Sequence, residues 1–236
     1  MESLQKTKPN KTLVVIPAYN EEKTIQDVVE RASHFADVCV VNDASTDGTA
    51  EIVESIPDVK CISHKKNTHI PQTILDGMKY AYENDYDYVI TMDAGLSHSP
   101  EEIPRFISAK YSDLVLGIRT TKTEVPLFRK ILSRAATVFL NRALRPIGSG
   151  LPSARFHDVT SGYRRYSKNA IELLINKKMK AKSFDFITEA LMIIYRNGLS
   201  VTEVSISYNF STSSLNSKVV MQSLRMFMDI FFTRRK

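Results

Sequence analysis

Short apolar segments alternate with helix-like segments through the first half of the chain, and this alternation restricts the fold more than any other feature. Strands are predicted over 12–16, 38–41, 59–62, 87–92 and 113–117. Helices are predicted between them over 21–32, with Asn20 as the cap, 48–55, about 71–83 and 100–109. Strands and helices that alternate at this spacing form a mostly parallel sheet with helices on both faces. The sequence therefore predicts an α/β fold.

The second half of the chain is predicted to be more helical. Helices are expected over 127–144, 169–175, 184–196 and about 218–232, with one strand over 201–208 and a connecting loop over 151–157. No internal repeat or linker interrupts this pattern. We therefore expect one domain over residues 1–236, with a polar N-terminal tail at 1–11.

Composition and the placement of the cysteines exclude several classes of protein. With 43% hydrophobic and 25% charged residues, the 236-residue chain is typical of a globular protein. It has no run of about 18 apolar residues that would predict a membrane-spanning helix, and residues 1–11 lack the apolar core of a signal peptide. Cys39 and Cys61 fall in strand-like runs, which favours buried thiols over a disulfide or a metal pair. These features predict a cytoplasmic protein.

Polar residues follow three of the predicted strands directly. They are Pro17 to Glu21, Asn42 with Asp43, and Asp93. Ligands of parallel α/β sheets bind at the carboxyl ends of the strands, so we expect these loops to meet at one site. The chain has no G-x-G-x-x-G, G-x-x-x-x-G-K-[ST], H-E-x-x-H or G-x-S-x-G motif, which argues against dinucleotide-binding, P-loop, zinc-protease and serine-hydrolase sites.

Three motifs occur in a familiar order along the chain. They are Ile16-Pro17-Ala18-Tyr19-Asn20-Glu21, the stretch from Val41 to Thr49, and Met92-Asp93-Ala94-Gly95. Together they resemble the family 2 inverting glycosyltransferases, which have the GT-A fold. Three further matches look specifically like the dolichyl-phosphate (polyprenyl-phosphate) mannose synthase group: the stretch from Ser97 to Pro104, Gly117-Ile118-Arg119, and the stretch from Asp158 to Arg164.

The resemblance implies a site for a nucleotide-sugar donor. In it, Pro17 and Tyr19 shape the nucleoside pocket, and Glu21 and Asp43 accept hydrogen bonds from the base or ribose. The remaining nucleotide-binding residues implied are Asn42, Asp93, Ala94 and Lys218, the last from a loop that closes over the diphosphate. Purely structural roles stay open at the same positions: a strand end at Pro17, a helix cap at Asn20 and a turn at Asp43 or Asp47.

A divalent cation, Mg²⁺ or Mn²⁺, is implied at Asp93. Where the family carries a second aspartate this chain has Gly95, and where it often carries a metal-holding glutamine this chain has Ser97. We therefore expect a metal site held by Asp93 and Ser97 and completed by the diphosphate of the donor. A second departure is His69, where the family usually has glycine. As a competing interpretation, Asp93 only caps the strand.

Basic residues are concentrated on the predicted acceptor side. Residues 119–145 contain seven arginines and lysines and a single acidic residue, Glu124, in a chain of net charge +6. Residues 126–145 and 218–236 both predict amphipathic helices suited to a membrane surface. The resemblance places the acceptor phosphate at Arg129 and Ser133, with Arg119 and Arg134 beside it. Packing of these helices on the sheet, or a dimer contact for the second, remains an alternative.

The expected reaction is an in-line, inverting transfer of a monosaccharide, mannose from GDP-mannose, to a polyprenyl phosphate, with Asp93, Arg119 and Arg129 as catalytic residues. A phosphate acceptor needs no general base, whereas a hydroxyl acceptor would need Glu189 or Asp158. Asp158 is otherwise expected to pair with Arg164. The enzyme would act at the cytoplasmic face of a membrane, with or without a separate membrane subunit. Alternatives are transfer to a glycan hydroxyl and a catalytically silent lipid-binding scaffold; a nucleic-acid partner is not expected.

Overall fold

The computed structural model describes residues 10–123, 127–144, 155–183 and 185–209. The strands are β1 (Thr12–Ala18), β2 (Asp37–Asn42), β3 (Lys60–Ser63), β4 (Tyr88–Thr91), β5 (Leu114–Thr123), β6 (Arg164–Ser167) and β7 (Val201–Asn209). The helices are α1 (Ile25–Ser33), α2 (Thr49–Ser55), α3 (His69–Glu83), α4 (Ile103–Ile107), α5 (Leu127–Ala143), α6 (Lys168–Ile175) and α7 (Phe186–Arg196), with a 3₁₀ turn at Pro100–Glu102.

The strands form a seven-stranded sheet in the order β3-β2-β1-β4-β6-β5-β7. All neighbours are parallel except β6, which runs antiparallel to both β4 and β5. The predicted α/β fold with a mostly parallel sheet is therefore confirmed. Strands β2, β1 and β4 are adjacent and parallel, so the loops at their carboxyl ends open on the same edge.

Successive residues of β1 face opposite sides of the sheet, and both sides are buried. Leu13 and Val15 join one apolar cluster with residues of α3, α6 and α7, while Val14 and Ile16 join another with residues of α1 and α4. Burying each such aliphatic side chain stabilises the fold by about 1.5–3 kcal/mol. The packing of α3 on β1 is close: a Cβ at Gly77 would lie 2.4 Å from Val15 Cγ1.

The first helix begins later than predicted. Asn20 does not cap it: its backbone lies in the left-handed region at φ +57°, and α1 starts at Ile25. The Asn20 side-chain oxygen instead accepts a hydrogen bond of 2.8 Å from the Thr46 amide in the loop after β2. The asparagine therefore ties two loops together.

Strand β6 was not predicted, because two consecutive arginines are atypical of a central strand. Both are buried, and their guanidinium groups donate to backbone carbonyls. Arg165 donates to Phe106, Ala109 and Lys110 at the end of α4. These bonds satisfy carbonyls that the end of a helix leaves open.

The boundaries of other elements also differ from the predictions. β5 continues six residues beyond Gly117, paired in parallel with β7, with a register shift between Arg119 and Thr121. The predicted helix over 218–232, residues 151–154 of the predicted loop and Phe184 lie outside the described residues. Cys39 is buried and Cys61 partly buried, both as free thiols, as predicted. None of the helices in the described ranges has the length and apolar character needed to cross a bilayer.

Candidate functional site

The loops after β1 and β2 are joined by hydrogen bonds, as their adjacency in the sheet requires. Asn20 donates its amide to Ser45 Oγ at 3.0 Å, and Glu21 donates its amide to Thr49 Oγ1 at 2.8 Å. Asp47 accepts from the amides of Thr49 and Glu22, so its predicted role as a turn residue is confirmed. The Tyr19 side chain is 48% exposed above these loops. It therefore offers an accessible aromatic surface at the edge of the sheet.

Asp43 is an internal anchor of this edge. One carboxylate oxygen accepts from the Thr68 amide (2.7 Å), the Thr68 hydroxyl (2.8 Å) and His64 Nδ1 (2.8 Å), and the other accepts from the His69 amide (2.8 Å). Burial acts to raise the pKa of Asp43, but the bonds from His64, Thr68 and His69 outweigh it and hold the pKa below its ordinary value. The ionised carboxylate thus fixes the start of α3.

His64 extends this network to a second carboxylate. Its Nε2 lies 3.1 Å from Asp76 Oδ2 on α3, while its Nδ1 faces Asp43. The Asp76 carboxylate also accepts from Gln72 at 2.8 Å. Neither His64 nor Thr68 was singled out from the sequence, because their partners are 12 and 25 residues away.

The departure from glycine at His69 has a backbone consequence. His69 has φ +68°, and Ala44, beside Asp43, has φ +61°. The left-handed region costs a residue with a Cβ about 1–2 kcal/mol. Two non-glycine residues therefore hold strained positions in the loops around Asp43.

The third loop places Asp93 at the end of β4 with a half-exposed side chain. Its amide donates to His98 Nδ1 at 3.1 Å, and its Oδ2 lies 3.4 Å from the same nitrogen. Burial lowers the pKa of His98, with Asp93 acting in the opposite direction. A neutral imidazole whose Nδ1 accepts from the amide agrees with both observations, so the 3.4 Å contact is not an ion pair. His98 therefore fixes the loop and leaves the carboxylate available.

Glu21 lies within electrostatic range of Asp93 at this edge. Burial raises the pKa of Glu21, a hydrogen bond from Thr24 lowers it, and the negative charges of Asp93 and Asp47 raise it further. The raised pKa of Glu21 reflects local negative charge that a cation would stabilise.

The residues present suit a metal ion completed by its ligand rather than a site built from protein alone. Within the described residues, no three His, Cys, Asp or Glu side chains cluster in a geometry for a metal. Asp93 supplies one carboxylate, and Ser97, four residues further along the chain, is buried. Mg²⁺ commonly uses one or two carboxylates together with substrate phosphates and water. A Cβ at Gly95 would meet nothing within 4 Å, so packing is not the reason that this position lacks a side chain.

Arg119 is bound to Asp158 in a bidentate ion pair, and this corrects the expected pairing of Asp158 with Arg164. Arg119 Nε lies 2.7 Å from Asp158 Oδ2, and Nη2 lies 2.8 Å from Oδ1. Arg164 is fully buried and donates instead to the carbonyls of Ser161, Val159 and Ile187. Arg164 therefore binds the backbone of the same loop but makes no direct bond to Asp158.

Thr160 connects Arg119 to Ser133 on α5. Its hydroxyl accepts from Arg119 Nη2 at 2.6 Å, donates to Asp158 at 3.0 Å and lies 2.8 Å from Ser133 Oγ. Two residues further on, Gly162 approaches Asp93, whose Oδ1 would lie 3.6 Å from a Cβ at that position. Residues 158–162 thus run from the Arg119–Ser133 network to Asp93.

The other predicted site residues are placed as follows. Pro17 lies in β1 and the buried Asn42 ends β2, where its side chain donates to Ser63 and accepts from the Ser45 amide. Ala94 is buried in the core, so only its backbone can face a ligand. Arg134 is exposed on α5; Arg129 lies in the same helix, where its side chain is outside the described part, as is Lys218.

Both candidate general bases are engaged in structural bonds. Glu189 accepts from the amides of Lys180 and Ala181, at 3.0 and 2.6 Å. Asp158 is held by Arg119. Within the described residues, both carboxylates are therefore already bound by other groups of the protein.

Comparison with known proteins agrees with this arrangement. Residues 13–174 match the model described as glycosyl transferase family 2. The chain is 30% identical to polyprenol monophosphomannose synthase of Mycolicibacterium smegmatis over 84% of its own length and 77% of that protein. It is 28% identical to the UDP-N-acetylglucosamine–dolichyl-phosphate N-acetylglucosaminyltransferase of Methanococcus voltae, over 86% and 87%.

A solved structure supports the fold. Glucosyl-3-phosphoglycerate synthase of M. tuberculosis superposes with a TM-score of 0.70 at 18% identity, covering 95% of this chain and 80% of that one. At that identity the likeness shows the fold alone. The motifs and their spacing carry the family relationship.

Proposed function

Since the chain belongs to glycosyl transferase family 2, we propose that it transfers a monosaccharide from a nucleotide sugar to a polyprenyl phosphate. One observation carries this proposal: residues 158–162 join the Arg119–Ser133 network to Asp93. Arg119, Thr160 and Ser133 form a hydrogen-bonded group at one end of this loop, and Gly162 lies next to Asp93 at the other end. An acceptor phosphate and a donor diphosphate would thus meet along one loop.

The proposed donor site lies over the loops after β1, β2 and β4. Tyr19 and Pro17 would flank the nucleoside, with Glu21 and the edge at Asn42 and Asp43 next to it. Because Asp43 already accepts four hydrogen bonds, its proposed role is to hold the loop at Thr68 and His69. The backbone at Ala94 and the side chain of Lys218 would face the diphosphate. We propose GDP-mannose as the donor; the name of the M. smegmatis relative specifies mannose as its sugar.

Asp93 is the proposed ligand of Mg²⁺ or Mn²⁺, with Ser97 beside it. Such an ion supplies charge neutralisation for a leaving diphosphate. The residues contribute position: His98 fixes the Asp93 amide and leaves the Asp93 carboxylate half-exposed. The proposed site therefore depends on the donor for its remaining oxygen ligands.

Because the candidate basic carboxylates are already bound within the protein, we favour transfer to a phosphate over transfer to a hydroxyl. A phosphate oxygen is already an anion, so it needs no proton removed before it attacks. Glu189 and Asp158, the two candidate bases, are bound to backbone amides and to Arg119. Arg119, Arg129, Ser133 and Arg134 would orient the acceptor for an in-line displacement with inversion.

A membrane surface is the proposed location of the acceptor. The exposed side of α5 carries Ile131, Arg134, Ala135, Val138 and Arg142, while Ala136, Leu140 and Leu144 face the core. Apolar and arginine side chains on one helix face suit an interface with anionic headgroups. We propose peripheral binding at the cytoplasmic face, either through this helix or with a membrane subunit.

A panel of donors and acceptors tests the proposal. The purified protein is incubated with labelled nucleotide sugars and Mn²⁺, together with a polyprenyl phosphate, a polyprenol or a soluble glycan. Label in the lipid phase only with the polyprenyl phosphate is the expected result. Label on the glycan would favour a hydroxyl acceptor. Lipid binding without donor binding or transfer would leave a silent scaffold.

A further inference from the structure

A cavity whose lining residues do not include Asp93 lies between α3 and the segment that links α6 to α7. It measures about 680 Å³ and is lined by the α3 residues Gln72, Leu75, Asp76 and Lys79 and by residues 175–183 apart from Asn176 and Lys180. Small-molecule sites commonly have about 300–1,000 Å³. The cavity is therefore large enough for a phosphorylated metabolite.

The charge around this cavity is strongly positive. Lys79, Lys177, Lys178 and Lys182 line it, against the single carboxylate of Asp76. That carboxylate is already bound by His64 and Gln72. Lys79 has an exposed acidic partner, Glu83, at 3.8 Å. Among the residues that line the cavity, four lysines thus accompany one carboxylate.

The lining is also preorganised and has an apolar side. Glu189 accepts from the amides of Lys180 and Ala181, and Asp185 accepts from those of Lys182 and Ser183, so the segment bearing the lysines is fixed on α7. Leu75, Ile175 and Met179 form apolar lining and pack against the core. A ligand with an anionic group and an aromatic or apolar body fits both features.

We propose that this cavity binds a small molecule that carries phosphate groups on an aromatic or apolar body, independently of the donor site. Thr68 and His69, at the rim, separate it from Asp43. It therefore adjoins the proposed donor site without sharing the carboxylate of Asp93.

Methionine methyl NMR tests this inference, with adenosine diphosphate and inorganic pyrophosphate as probes. Met179 lines the cavity, whereas Met92 is buried next to Asp93 and reports on the other site. We expect saturable shifts of the Met179 methyl signal with both probes, tighter for adenosine diphosphate, and the same shifts in Asp93→Ala. Replacing Lys178 and Lys182 by Gln should weaken binding on the order of tenfold.

The matched control is Lys23→Gln with Lys110→Gln, which removes the same charge from exposed positions outside the cavity. Its affinity should stay within about twofold of the wild type, since distant exposed charges are largely screened. An unmoved Met179 signal at millimolar probe would overturn the inference. So would equal weakening by both double variants, or loss of the Met179 shift in Asp93→Ala.

Discussion

Arg119 and Asp158 form a buried bidentate ion pair between β5 and the loop that leads to β6, with N–O distances of 2.7 and 2.8 Å. The two side chains are only 16% and 6% exposed. The pair holds Arg119 where it also reaches Thr160 and, through it, Ser133. The proposed acceptor site is therefore positioned by a carboxylate that the sequence had matched with a different arginine.

Replacing Asp158 by Asn should destabilise the protein by about 3–5 kcal/mol, because it leaves the buried Arg119 charge without a partner. Chemical denaturation at neutral pH measures the free energy of unfolding. Glu101→Gln is the control, since it removes an exposed partner of Arg31 at a comparable 2.7 Å and should cost less than about 1 kcal/mol. Equal losses of unfolding free energy in the two variants would show that burial does not increase the contribution of the Arg119–Asp158 pair to stability.

Introducing a carboxylate at position 95 should strengthen metal binding in the absence of donor. A Cβ there meets nothing within 4 Å, so Gly95→Asp is expected to fold normally and to add a ligand near Asp93. Calorimetry with Mn²⁺ should show an affinity increase of about tenfold or more. Gly95→Asn, which has the same size without the charge, should gain much less. No gain with aspartate would place the metal elsewhere.

Relief of backbone strain should stabilise the loop beside Asp43. Ala44 has φ +61°, so Ala44→Gly is expected to raise the free energy of unfolding by about 0.5–1 kcal/mol, after the entropic cost of glycine. The reverse change, Gly198→Ala at φ +77°, should lower it by about 1 kcal/mol, because a Cβ there has no contact to compensate. Denaturation curves with the same sign for both variants would contradict this explanation.

Stability should depend on the ionisation of Asp43. Its pKa is lowered in the folded protein, so its contribution is present above the ordinary value of 3.8 and is lost as pH falls through the folded value. Asp43→Asn should cost about 1–3 kcal/mol at pH 7 by leaving buried donors poorly matched. The difference in unfolding free energy between wild type and Asp43→Asn should become smaller at pH values below 3.8.

Denaturation over this pH range measures the effect, with the exposed Asp58→Asn as control. The comparison between wild type and variant isolates Asp43 from other carboxylates that titrate in the same range. A difference that stays constant down to the lowest accessible pH would mean that the charge of Asp43 does not stabilise the loop.

The sequence predicted the parts of this molecule that depend on local patterns. Alternating apolar segments indicated β1 to β5 and β7, and the polar residues at their ends indicated the edge where Asp43 and Asp93 lie. Parallel strands buried on both faces read as apolar runs, so they are visible without knowledge of the fold. The replacement of the family's second aspartate by Gly95 could also be recognised from the sequence alone.

Partners distant in the chain could not be predicted. Arg119 and Arg164 both had the charge to bind Asp158, and only the sheet order decides that Arg119 reaches it. β6 was missed because its arginines bind carbonyls of other segments. Asn20 precedes a helical pattern, yet it binds the loop after β2, which lies beside it only once the sheet has formed.

The most direct test of the central claim follows the phosphorus of the acceptor. A polyprenyl phosphate is incubated with GDP-mannose, Mn²⁺ and the protein, and ³¹P NMR of the lipid extract is recorded. Conversion of the lipid phosphomonoester signal to a phosphodiester, lost in Asp93→Ala, is the predicted result. A lipid phosphomonoester that stays unchanged while the donor is consumed would contradict the claim, because the sugar would then have passed to water or to a hydroxyl.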